Sequence, residues 1–124
     1  MTMSEQVAET LYFPVPGAQG VEAESARAYD ARWRVLDESG RALGTDEPAL
    51  ASISVALEFG YLVLRAPGML RLGMPLDVLE DDPSVLETVT IDGVETTVAD
   101  EGNWAHTWVS NVLGRPARLV KVCD

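Results

Sequence analysis

The chain has 124 residues, 47% of them hydrophobic and 23% charged, which suits one folded domain with one core and excludes both disorder and a second domain. Twenty acidic side chains against nine basic ones give a net charge of −11, a field that repels a nucleic-acid backbone and an anionic membrane surface. No stretch approaches the roughly 18 apolar residues of a membrane span, and the first eight residues are polar and acidic, so a cytoplasmic location is expected. Cys123 is the single cysteine, which rules out an internal disulfide and fits a reducing compartment.

In chain order, short apolar segments alternate with Gly, Pro and Asp, the pattern of an antiparallel β domain. A first strand is expected over 7–15, with Leu11 and Phe13 on one face, stopped by Pro14, Pro16 and Gly17. A second is expected over 21–29, where Val21, Ala23 and Ser25 share a face. Residues 32–37 alternate as a strand, turn at Glu38-Ser39-Gly40 and pair back through 41–43. Another hairpin is expected from 50–57, the turn Glu58-Phe59-Gly60 and 61–64. Pro67-Gly68 signals a turn into a short strand over 69–73, and 77–83 is acidic and irregular.

The sharpest local signal is Asp92-Gly93 between two β-rich segments in 89–98, because a type I′ turn needs positive φ at both central positions. Asn103 can cap a helix over 104–113, with Trp104, Ala105, Trp108, Val109 and Val112 on one face and Gly114-Arg115-Pro116 ending it. A last strand over 117–122 closes the domain. The expected fold is mainly β, an antiparallel barrel or half-barrel over about 7–122 with one C-terminal helix of about ten residues packed on it. Between Leu72 and Gly114 there is no Lys or Arg, so one side of the molecule should be acidic.

Few residue constellations point to catalysis. His106 is the single histidine and is expected to face solvent; without a second His or a paired Cys no transition-metal set forms. Glu80, Asp81 and Asp82 lack the glycine spacing of a calcium loop and read as a solvated acidic loop. Ser54 and Ser110 stand in no nucleophile elbow. Trp33, Trp104 and Trp108 read as core rather than as a ligand platform. Arg32, Arg34 and Arg41 form the single basic patch and a candidate anion site.

Four local matches, in order, resemble the N-terminal β-barrel domain of MOSC (molybdenum cofactor sulfurase C-terminal) proteins. They are Phe13-Pro14-Val15 before Gly20-Val21; Asp30, Arg32-Trp33 and Val35-Leu36-Asp37 before Gly40-Arg41; Leu64 with Ala66-Pro67-Gly68; and Trp108, Ser110 and Leu113-Gly114-Arg115-Pro116 before Arg118-Leu119-Val120. The resemblance implies a β-barrel that in the family precedes a cysteine-bearing half, with the phosphate of a molybdenum cofactor gripped between the two.

The family's grip uses a Lys-Ser pair, an Arg and a further basic position, where this chain has Pro16, Gly17, Ala31 and Asp46. The resemblance therefore leads to an accessory or binding domain of unassigned ligand that is not an enzyme by itself and carries no cofactor of its own. Alternatively, a separate MOSC C-terminal domain completes a molybdenum cofactor reductase or sulfur carrier with it. Homodimerisation through a strand edge is a third possibility that the residues neither favour nor oppose.

Overall fold

A computed structural model describes residues 10–77, 84 and 86–123. Eight strands and one helix follow one another: β1 (Trp33–Asp37), β2 (Ala42–Leu43), β3 (Ser54–Glu58), β4 (Tyr61–Arg65), β5 (Leu72–Pro75), β6 (Leu86–Ile91), β7 (Val94–Asp100), α1 (Asn103–Leu113) and β8 (Ala117–Val122). They form a five-stranded antiparallel sheet in the order β2-β1-β8-β7-β6 and a three-stranded one in the order β3-β4-β5. The expected mainly β architecture with a single C-terminal helix is what the chain adopts.

Period-2 alternation gives the larger sheet two different faces. On one, Trp33, Val35, Ala117 and Leu119 join Leu50, Ile53, Leu62, Leu64, Trp108 and Val109 in the main core. On the other, Leu36, Ile91, Val98 and Val120 form a smaller cluster. The register pairs Arg34 with Val120 and Leu36 with Arg118, so Arg34 stands on this second face. The sheet is curled: in a flat sheet β1 and β6 would stand about 14 Å apart, three strand spacings, yet Arg34 Nη1 donates to Asp92 Oδ2 in the β6–β7 turn at 2.9 Å.

Two of the hairpin turns take the same form. Asp92 and Gly93 have φ of 52° and 84°, the type I′ geometry expected of Asp-Gly. The β3–β4 turn has the same form with Phe59 at 52° and Gly60 at 85°, although nothing in an aromatic side chain favours it. Helix α1 buries Ala105, Trp108 and Val109 and ends in the left-handed Gly114, whose N–H donates to the Ser110 carbonyl at 2.8 Å.

Several segments depart from the sequence reading. The strand expected over 21–29 is a 3-10 helix, Glu24–Tyr29, with only Ala26 buried; Glu24-Ser25-Ala26-Arg27-Ala28 has no β-branched residue and no apolar face for a sheet to cover. Of the strand expected over 7–15, residues 7–9 lie outside the described residues. The rest makes one bridge, Tyr12 to Val21, because Pro14 and Pro16 have no N–H for a ladder. Residues Pro48–Ser52 form another 3-10 turn, started by Pro48 and capped by the Glu47 carboxylate, so β3 begins later than expected.

The strand after Pro67-Gly68 is Leu72–Pro75 rather than 69–73. Most of the acidic segment, 78–83, lies outside the described residues, Glu80, Asp81 and Asp82 among them. Gly102, not Asn103, precedes the first turn of α1 and donates its N–H to Asp100 Oδ1 at 2.7 Å. Trp104 is 61% exposed rather than buried, because the apolar stripe of α1 is centred on Ala105, Trp108 and Val109 and Trp104 falls outside it.

Candidate functional site

The segment 13–16 lies along the start of β1 through backbone bonds. The Asp30 carboxylate accepts from Phe13 N–H at 2.7 Å, Ala31 N–H donates to the Phe13 carbonyl at 2.8 Å, and Trp33 N–H donates to the Pro14 carbonyl at 2.9 Å. Pro16 and Ala31 both line a cleft of about 830 Å³, whose other walls come from Arg34 on β1, the β1–β2 turn, the loop after β2 and the β6–β7 turn. The size is that of a small-molecule site.

Three of the four positions singled out by the family resemblance, Pro16, Ala31 and Asp46, line this cleft together with Arg34 and Arg41. Gly17 sits just behind them at φ 96°, where an added Cβ would lie 2.7 Å from both the Gly44 carbonyl oxygen and Leu50 Cδ1. The backbone here admits no side chain, so the serine of the family pattern has no room at this position. Arg32 points elsewhere, donating to the Val122 carbonyl at 3.2 Å. The basic patch thus resolves into two arginines in the cleft and one outside it.

Both cleft arginines already hold a carboxylate of this chain. Arg41 is ion-paired with Asp46, which also accepts the Gly44 N–H at 2.9 Å. The Gly44 N–H and then Arg41 hold the Asp46 carboxyl below the usual range. In the neighbouring turn Asp37 Oδ1 accepts from the Ser39 hydroxyl at 2.7 Å and from the Ser39 and Arg41 N–H groups, and the Ser39 hydroxyl leads in lowering its pKa.

Arg34 is the one buried charged side chain among the described residues. Its Nη1 meets Asp92, its Nη2 donates to the Leu43 carbonyl at 3.3 Å, and its Nε is buried without a partner. Asp92 is the cleft residue that sequence reasoning missed: Asp-Gly marks a turn, but nothing local says which strand that turn folds onto.

Other candidates serve the fold. Ser110 Oγ accepts from Ala117 N–H at 2.9 Å and donates to the Ala117 carbonyl, tying α1 to β8. Trp33 and Trp108 are buried, their indole N–H groups satisfied by Glu101 and the Leu70 carbonyl, both at 2.6 Å. His106 is only one-fifth exposed, against expectation, with Nε2 2.8 Å from Asp100 Oδ1 but off line for a hydrogen bond. Asp100 also pairs with Arg118, which holds Glu87 as well. Among the described residues no group of three or more His, Cys, Asp or Glu side chains could hold a metal, and no helix is long and apolar enough to cross a membrane. Cys123 is exposed at the end of β8.

The model of the MOSC N-terminal beta barrel domain matches residues 4–116. The chain belongs to this family. It is 33% identical over 127 residues to human mitochondrial amidoxime reducing component 2 and 30% identical to the bovine protein, covering 93% of this chain and 37% of each relative. It is 29% identical over 120 residues to rice molybdenum cofactor sulfurase, covering 90% of this chain and 14% of the relative. The chain therefore spans little more than a third of the first relatives and about a seventh of the sulfurase. A Bordetella bronchiseptica protein of known solution structure is 44% identical, with a TM-score of 0.81 over 94% of this chain and 91% of its own. As a MOSC N-terminal domain, this chain shares the family's scaffold.

Proposed function

We propose that this MOSC N-terminal domain is a non-catalytic binding or accessory domain, and that it does not hold a molybdenum cofactor by itself. One observation supports the reading: among the described residues that line the cleft, both cations are ion-paired within the chain, Arg41 with Asp46 and Arg34 with Asp92. A charge-assisted bond contributes about 1.5–3 kcal/mol, and positions 16, 17 and 31 supply none. This donor set does not fit a phosphate dianion.

The test is equilibrium dialysis of the cofactor against the purified chain, alone and with a separately expressed cysteine-bearing MOSC half. Retention by the chain alone at micromolar concentration would refute the reading. A second reading is favoured by the relatives' lengths: the amidoxime reducing components run well beyond the matched region, so a further half supplied by another polypeptide would complete a reductase or sulfur carrier. That reading requires retention only when both parts are present, together with their co-elution in gel filtration.

A further inference from the structure

Hairpin β6–β7 is anchored at one end and overhangs at the other. Among the described residues, β8 pairs with β7 only at Val98, Ala99 and Asp100, and a bond from Cys123 N–H to the Thr97 carbonyl at 2.8 Å extends that seam by one position. Strand β6 pairs with β7 alone. At the anchored end Arg118 of β8 also holds Glu87 and Asp100. Residues 89–96 therefore form a two-stranded ribbon beyond the seam with β8, and such a ribbon has little stability of its own.

What holds the ribbon down lies on its inner face. Ile91 belongs to the smaller apolar cluster with Leu36, Val98 and Val120, and Val89 packs against it. At the tip, Asp92 accepts from Arg34. Among the described residues this is the single polar contact between 89–96 and the remainder of the domain. The Arg34 side chain is 10% exposed and that of Asp92 is 69% exposed. A carboxylate already in water leaves its partner without a hydration penalty, so the pair is strong enough to bias a ribbon and weak enough to release it.

We propose that residues 89–96 are a hinged flap latched by the Arg34–Asp92 pair, which lifts while the rest of the domain stays folded. The hinge is the Thr88–Thr97 pair, where the seam with β8 ends. The β6–β7 turn is one wall of the cleft, so lifting the flap widens the cleft and joins it to the apolar face carrying Leu36 and Val120. The proposal goes beyond the binding reading above and does not depend on what the cleft holds.

The test is alkylation of a buried thiol by iodoacetamide, a neutral reagent, under native conditions in a Cys123→Ser background. Val120→Cys puts the thiol on the face beneath the flap, and Val35→Cys puts it on the opposite face in the main core; both valines are fully buried, on neighbouring strands. Local opening lets a buried site react without global unfolding, so the thiol at position 120 should react at least about tenfold faster than the one at 35. Asn-Gly suits the same type I′ turn, so Asp92→Asn keeps the hairpin and removes the charge of the latch. Added to each, it should speed position 120 by about three- to tenfold and leave 35 unchanged. Glu95→Gln, an equal loss of charge on the other face of the flap, should change neither. Should V120C not fold, Val98→Cys reads the same face. Equal rates at 120 and 35, a D92N effect on both or on neither, or an E95Q effect as large as that of D92N would overturn the proposal. A pterin retained by the wild type leaves this outcome untouched, so the two readings fail separately.

Discussion

Gly17 shows how much one backbone position constrains this cleft. Its φ of 96° is costly for any L side chain, and a Cβ would strike the Gly44 carbonyl and Leu50, so Gly17→Ser should destabilise the domain by about 1–3 kcal/mol in urea titration. At Asp46 and Asp37 the carboxyl pKa is held down by N–H and hydroxyl donors. A depressed folded-state value adds stability above the unfolded value of about 3.9, and that contribution is lost as pH falls through the folded value. Carboxyl 13C titrations should therefore place both midpoints below 3.9, and the stability gap between wild type and Asp46→Asn should shrink as the pH drops under about 4. The absence of phosphate donors at 16, 17, 31 and 46 could be read from residue identities alone. The partner of Arg34 could not, since Asp92 is brought to it by a turn 58 positions away in the chain.

Among elements, α1 separates what periodicity can and cannot tell. Trp104 and Trp108 are four residues apart and share a nominal face, yet Trp108 is 2% exposed and Trp104 is 61% exposed. Trp108→Ala should cost about 3–5 kcal/mol, whereas Trp104→Ala should stay within about 0.5 kcal/mol, a contrast that thermal or chemical denaturation reads directly. The hairpins at Glu38-Ser39-Gly40 and Asp92-Gly93 were read correctly because their turn residues carry the signal locally. The two 3-10 segments, Glu24–Tyr29 and Pro48–Ser52, were not: a turn this short carries no apolar period, and the local cues at the second, Pro48 and the Glu47 cap, were read only as a break before the strand. Phe59 is the converse case: at φ 52° and 99% exposed, it makes the turn without suiting it. Phe59→Asn should raise stability by about 1 kcal/mol, since Asn tolerates the left-handed region far better.

At the scale of the whole molecule, the strand order is set by β8, the last strand, inserted between β1 and β7, a pairing that no local rule reveals. The order of short motifs nevertheless pointed to the family, because Phe13-Pro14-Val15, Asp30 and Leu113-Gly114-Arg115-Pro116 each occupy a junction where the fold needs them: the docked segment, its anchor, and the end of α1. Curling of the sheet then draws the β6–β7 turn over β1 and matches Arg34 with Asp92, while Arg41 meets Asp46 within its own loop. The most direct measurement of that internal neutralisation is the 31P spectrum of a pterin phosphomonoester mixed with an equimolar amount of this domain. An unchanged chemical shift and line width are expected. A shifted or broadened signal that reverses on adding inorganic phosphate would show a phosphate held in the cleft and contradict the central claim.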